Sequence, residues 1–401
     1  MSQSPAAFRF DYESPALRFG PDSVRDLDAS LDAHDADTAL VVTGSTVGTT
    51  PAVMDPVRDG LGDRLAGVFA ETTGEKRLTT AFDAAERVAA TDADAIVAVG
   101  GGSSIDVATV AAALTGTTQS RAAVARTVRD TATVPIPDGA LPPIVVVPTT
   151  LAGADISQGA GIAAHPDAGV VDDTHSAVAD DRRLMPASVV ADPVLAATTP
   201  RSVLAGSAMN GLNKGIETLY AATATPITDA TASHGVGTLA AGLRALGTAD
   251  PTPETMAPIL RGLLLVEYGI SRPDATTLSL THAFGHALSR ASPIQQGVAH
   301  AVVTPHVLAH LFDSTDGRRD RLAAALDVGD DPDPASAVID AVTAVRDALG
   351  LPARLRDTDG PARSELQAVA AAAVADPFVD NAPDGVPLTR ADATEILDAA
   401  W

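Results

Sequence analysis

The sequence predicts an α/β N-terminal part built on a parallel sheet, over residues 1–192, followed by an all-α part over residues 193–401. Three observations predict it. The first half alternates short β-branched runs with Ala-rich helical stretches, the rhythm of βαβ units. One of those runs, Ala95-Ile96-Val97-Ala98-Val99, leads straight into Gly100-Gly101-Gly102. Beyond Asp192-Pro193 nearly every stretch carries the 3.6-residue period instead.

In chain order, Ala39 to Thr43 reads as a buried strand ending at Gly44-Ser45, with a second strand around Ala66 to Ala70. Thr80 to Ala90 has helical spacing, the 95–99 strand follows, and Ser104 to Leu114 reads as a helix. Ile144 to Val147 is a further buried strand, closed by Pro148-Thr149-Thr150. Residues 160–185 are polar and without a clear period, so a long excursion is expected there. Leu204 to Leu219, Ala230 to Leu246, Met256 to Gly269, Thr277 to Ser289 and Val298 to Leu311 are helical. After the loop Asp330-Asp331-Pro332-Asp333-Pro334, Ala335 to Leu349 and Arg363 to Ala375 are two more helices.

Composition excludes several function classes. The 401 residues carry 51 acidic and 27 basic side chains, a formal charge of -24, which rules against nucleic acid as a partner. Cysteine is absent, removing thiolate nucleophiles and Cys-held metal clusters. The acid is mostly Asp, and Lys76 and Lys214 are the only lysines, a balance expected of a surface adapted to high salt. Met1 to Phe10 lacks a signal-like apolar core, and no window reaches the roughly 18 apolar residues of a membrane helix. A cytoplasmic homo-oligomer with no membrane partner is expected.

Gly100-Gly101-Gly102-Ser103-Ser104 joins a strand to a helix, where bare amides and the helix dipole can cradle a pyrophosphate. Such a turn can also be a tight bend needing positive φ. Pro148-Thr149-Thr150-Leu151-Ala152-Gly153 ends the neighbouring strand on the same edge, and two such loops favour a dinucleotide. The first part is therefore read as a Rossmann-like dinucleotide-binding domain. Its expected contacts are Gly44, Ser45, Gly100, Gly101, Gly102, Ser103, Ser104, Asp106, Thr149, Thr150, Leu151 and Gly153.

Gly100-Gly101-Gly102-Ser103-Ser104-Ile105-Asp106 resembles the GGGS-x-x-D signature of the iron-containing alcohol dehydrogenase superfamily. The run from Pro148 to Ser157 is similar to that family's PTT-x-x-GS-E loop, with Ala154 and Asp155 in place of Ser and Glu. Asp192-Pro193, the helix from Ala208 to Tyr220 and the His282/His286 helix follow in the family's order, so the resemblance spans roughly residues 9 to 315. The 208–221 helix and the 299–308 stretch resemble the maleylacetate reductase branch in particular. The resemblance implies a nicotinamide cofactor, a helical substrate domain over 193–401 and an active site in the cleft between the parts.

It also implies four metal-ligand positions, which here hold Asn210, Lys214, His282 and Gln296. Amide carbonyls are weak neutral ligands and an ammonium is none, so no metal is expected. Lys214 can instead polarise a carbonyl oxygen; it can also pair with Glu217 on its own helix face or point to solvent. His282 and His286, at i and i+4, are candidates for the proton donor and its support, with His300 and His306 weaker ones. Lys214 with Arg272 or Arg290 could hold a substrate carboxylate. The family's lysine three residues beyond Asp106 is Thr109 here, and the first strand ends in Gly44-Ser45-Thr46 without an Asp, which leans toward NADP over NAD.

The expected activity is therefore an NAD(P)-dependent reduction of a carbonyl, or oxidation of an alcohol, of the keto-acid type and without metal. The competing readings are a metal-dependent alcohol or polyol dehydrogenase with substitute ligands, a sugar-phosphate cyclase, and a nucleotide-binding protein without catalysis.

Overall fold

The computed structural model describes residues 7–166 and 169–401. The first part contains β1 (Ala16–Phe19), α1 (Leu27–Asp32), β2 (Ala39–Gly44), α2 (Ser45–Gly48), α3 (Pro51–Leu61) and β3 (Leu65–Thr72). It continues with α4 (Leu78–Ala90), β4 (Ala95–Gly100), α5 (Gly102–Leu114), α6 (Arg121–Thr131), β5 (Ile144–Pro148), β6 (Gly159–Ala164), β7 (His175–Asp180) and β8 (Ser188–Ala191). Six strands form one parallel sheet in the order β1-β8-β5-β4-β2-β3.

Every residue of β4 and β5 is buried, as both-face coverage of a parallel sheet requires. Leu40, Val42, Ile96, Ala98, Ile144 and Val146 face a core shared with α4 and α5. Their neighbours Val41, Val97, Val99, Val145 and Val147 face the opposite core, shared with α1 and α3. Alternation along each strand thus builds a three-layer sandwich. Helix α5 is buried from Ser104 to Leu114, and its run of Ala and Val keeps it thin enough to fit beneath a further layer.

That further layer corrects one expectation. Part of the 160–185 excursion is an antiparallel hairpin, β6 with β7, in register from Gly159↔Asp180 to Ala164↔His175. Gly159–Ala164 consists of small residues with one Ile, so it lacks the β-branched signature of a strand. Its alternate residues Ala160, Ile162 and Ala164 nonetheless bury against the α5 core.

The second part holds α7 (Pro193–Ala196), α8 (Arg201–Tyr220), α9 (Pro226–Leu246), α10 (Pro253–Glu267), the two-residue pair β9 (Ser271–Arg272) and β10 (Ala275–Thr276), α11 (Leu280–Ala291) and α12 (Gln296–Ser314). It ends with α13 (Arg319–Ala325), α14 (Pro334–Ala348), α15 (Leu366–Val374) and α16 (Arg390–Ala400). One core joins these helices, and Leu151 from the β5 loop is part of it. Asp192 marks the changeover. It caps α7 through Val194 N–H at 2.8 Å and also takes the Asp22 and Val24 amides at 3.2 Å, tying the end of β8 to the N-terminal loop.

Candidate active site

The carboxyl ends of β2, β3, β4 and β5 lie side by side, because Gly44 pairs with Thr72 and Gly100 with Pro148. Gly100 has φ +142, and a Cβ there would lie 3.0 Å from Ser104 Oγ. Gly101 begins α5 as its N-cap, and a Cβ on it would strike the Thr150 methyl at 2.8 Å. The two loops therefore touch, and only glycine permits it. The N-terminus of α5 lies at this turn, and free amides at a helix N-terminus are an arrangement that binds phosphate. Ser104 is turned away from any ligand, since its Oγ bonds Thr72 Oγ1 at 2.7 Å. Asp106 forms an ion pair with Lys76 from the β3–α4 loop.

The β5 loop is wired to the helical part. Thr149 N–H donates to the Gly100 carbonyl at 2.9 Å, and its own carbonyl accepts Thr199 Oγ1 at 2.7 Å. Leu151 N–H donates to Ser207 Oγ at 3.0 Å. Helix α8 presses so closely on this loop that a Cβ on Gly211 would lie 2.6 Å from the Leu151 carbonyl. Gly153 is left-handed at φ +68, and a Cβ there would meet Lys214 Cδ at 3.1 Å and Cε at 3.2 Å. The Lys214 stem thus lies against this loop. Its neighbours by charge are Asp155, Glu267, Glu217, His282 and His300.

Asp155 and Glu267 form a buried carboxyl pair, with Glu267 Oε1 taking the Asp155 amide at 2.9 Å. Burial, then the charge of Glu267, pushes Asp155 well up, while the charge of Lys214 opposes this. Glu267 is raised by burial against the same opposition. The Lys214–Glu217 pairing open in the sequence is not formed. Glu217 instead turns its carboxyl into α11, accepting the His282 amide at 2.9 Å and meeting His282 Nδ1. A carboxyl from α8 so satisfies an amide in the first turn of α11, one that no helical carbonyl can reach.

The α11 face carries two imidazoles. Burial pushes Glu217 up to about 7, and burial followed by the charge of Lys214 holds His282 well below its usual value. His282 is therefore neutral, with Nε2 buried and unpartnered. His300 lies against it at 4.5 Å between ring centroids, and both its nitrogens are also unpartnered. His286 is more open, its side chain 31% exposed, and its Nδ1 meets Asp376 Oδ2 at 3.0 Å. Asp376 and Phe378 come from the segment joining α15 to α16, and the Phe378 ring lies 5.2 Å from His286.

With this geometry in hand, the comparison with known families is decisive. The iron-containing alcohol dehydrogenase profile matches residues 14–193, and the Fe-containing alcohol dehydrogenase C-terminal profile matches residues 204–401. The chain belongs to the iron-containing alcohol dehydrogenase family. It is an oxidoreductase. Among its relatives, maleylacetate reductase of Pseudomonas aeruginosa is 28% identical over 303 residues, 76% of this chain and 75% of that protein. Maleylacetate reductase of Burkholderia cepacia is 27% identical over 394 residues, covering 98% and 96%. The crystal structure of a putative alcohol dehydrogenase from Ralstonia eutropha JMP134 superposes with a TM-score of 0.80 at 26% identity, covering 99% of this chain and 98% of that one.

The metal implied by the family name does not fit the donor set. Asn210 spends its Nδ2 on the Ala152 carbonyl at 2.9 Å and offers one amide oxygen. Lys214 offers a cation and Gln296 a second amide. Among the described residues no three His, Asp or Glu side chains group closely enough to hold a metal ion. His282 alone is a good ligand at these positions.

The remaining site expectations divide as follows. Gly44, Ser45, Gly100, Gly101, Gly102, Ser103, Thr150 and Gly153 line the loops at the carboxyl edge of the sheet. Leu151 does not join them, because its side chain is fully buried in the helical core. Arg272 is not available to a substrate either. It donates to the Gly269 carbonyl at 2.8 Å and the Thr223 carbonyl at 3.0 Å and stacks over Phe10. Arg290 is half exposed and meets Asp376 at 3.4 Å. His306 lies on α12 beyond His300, and burial and Arg346 depress it. Sequence reasoning missed Lys76, Glu267 and Asp376, which reach the site from 30, 112 and 90 residues away from their partners Asp106, Asp155 and His286. The scarcity of lysine was the one signal for Lys76.

Proposed function

We propose that this chain is a nicotinamide-dependent reductase of carbonyl substrates bearing a carboxylate, working in the cytoplasm as a homo-oligomer and without a metal ion. The observation that carries the reading is Lys214, which stands at a family ligand position, whose stem lies against Gly153 and whose charge faces buried carboxyls and imidazoles. A cation there stabilises the oxyanion that forms as a carbonyl is reduced, the work a Lewis acid does elsewhere. The α5 amides, Gly100 to Ser103 and the Thr149–Thr150 loop would hold the cofactor pyrophosphate. When bound, the dihydronicotinamide supplies hydride to the carbonyl carbon. His286, the more open of the two α11 imidazoles, supplies the proton to the oxygen. His282 is neutral and buried, and supports the wall of the site.

The β2 end at Gly44 presents no carboxylate to repel a 2′-phosphate, which favours NADP. The names of the relatives point to a keto dicarboxylate such as maleylacetate. The test is a panel of keto acids, semialdehydes and simple aldehydes with NADH and NADPH, in molar salt. Turnover of carboxylated carbonyls, faster with NADPH, is the expected result. Nucleotide binding without turnover of any of them would overturn it.

A further inference from the structure

The carboxylate of Asp376 is almost wholly buried, 1% exposed, and its two oxygens do different things. Oδ1 accepts the Phe378 amide at 3.1 Å and so caps the short turn Pro377–Asn381. Oδ2 meets His286 Nδ1 at 3.0 Å and Arg290 Nη2 at 3.4 Å. The turn is itself anchored at its far end, where Asn381 donates to the Leu278 carbonyl at 2.7 Å and accepts the Ala222 amide at 3.0 Å. The carboxylate is thus held against the end of α8 and the start of α11, with the Phe378 ring closing one side of the imidazole.

We propose that Asp376 is the positioning residue for proton transfer: it fixes His286 in the Nδ1–H form and leaves Nε2 as the nitrogen that serves the substrate. The inference rests on the donor role of His286 given above. A carboxylate only accepts, so the shared hydrogen belongs to Nδ1, and the opposite ring nitrogen is left free. The carboxylate thereby fixes the tautomer, as carboxylate partners do for catalytic and metal-binding histidines elsewhere. Burial would raise Asp376, yet the His286 hydrogen bond and charge, the Phe378 amide and Arg290 together hold it below the ordinary carboxylate value, so it is ionised throughout the working range. The other titratable neighbours of His286 are His282 on its own helix and His300 on α12, both kept neutral by burial. The pair therefore acts as one unit: Asp376 holds the Nδ1 hydrogen, and the proton passed to the substrate oxygen leaves from Nε2.

Asp376→Asn separates positioning from folding, because an asparagine Oδ1 still caps the turn. The expected variant is folded, with kcat down roughly 10- to 100-fold and KM for the carbonyl within about threefold. Asp376→Ser, a second capping residue too short to reach His286, gives the same loss of kcat if the asparagine variant misfolds. ¹⁵N NMR of histidine-labelled wild-type protein, with His286 assigned by its loss in His286→Gln, reads the tautomer directly. A pyridine-like Nε2 resonance that moves to Nδ1 in Asp376→Asn supports the proposal. An Nε2–H tautomer in the wild type, or a folded Asp376→Asn with unchanged kcat and unchanged tautomer, overturns it. Full activity in His286→Gln would refute the donor role of His286 itself, while the tautomer measurement would still report whether Asp376 sets the ring.

Discussion

Replacing Lys214 by methionine lowers kcat/KM about a hundredfold while leaving the fold intact. The magnitude follows from the site. No hydrogen bond or ion pair anchors the amino group among the described residues, and Lys214 acts on Asp155, Glu267, Glu217 and the histidines by charge alone. A full negative charge on a substrate oxygen ~3 Å from it would be stabilised by about 5 kcal/mol at an effective dielectric near 20. A half-developed charge in the transition state receives roughly half of that, which is about a factor of 100 in rate. Methionine keeps the stem that packs against Gly153, so little packing is lost. The buried carboxyls, deprived of the opposing charge, simply hold their protons more tightly. The assay is steady-state kinetics with the best carboxylated carbonyl, beside a thermal melt. A folded Lys214→Met enzyme within about threefold of wild-type kcat/KM would refute the electrostatic role.

Three further outcomes follow from the same geometry. Gly153→Ala forces a side chain into a left-handed backbone at φ +68, and by crowding Lys214 it should lose about 1–2 kcal/mol of stability in a denaturant titration and slow turnover with it. Glu217 is raised to about 7 from an ordinary 4.5, so its contribution to stability is full below the lower value and is lost as pH rises through the higher one. Glu217→Gln should remove up to ~3 kcal/mol of the decline in folding free energy between pH 5 and 8, measured in molar salt, and an unchanged decline would show that the carboxyl is not the source. Rebuilding the ligand set with Asn210→Asp, Lys214→His and Gln296→His should yield about one metal per chain by elemental analysis, where the parent holds almost none.

What the sequence made legible was local. Strand β4 and its glycine turn could be read because a fully buried β-branched run ends in residues that only a close backbone approach explains. The exchange of ligands at Asn210 and Lys214 was equally visible, since both lie on one helix. The β6–β7 hairpin was not, because small residues under a helix carry neither period. The Lys76–Asp106 pair depends on how β3 carries its following loop over α5, and the Asp376–His286 pair on how the C-terminal turn packs across two helices. Neither follows from spacing along the chain. Arg272 shows the converse: its type suggested a carboxylate site, but its burial commits it to backbone carbonyls.

In the proposed function a lysine does the work of a metal in a family named for iron. Metal content and turnover, measured on one preparation after exhaustive chelation in molar salt, test it most directly. Far less than one metal per chain with full reductase activity is the expected result. Activity that disappears with the metal and returns only with iron or zinc would contradict it.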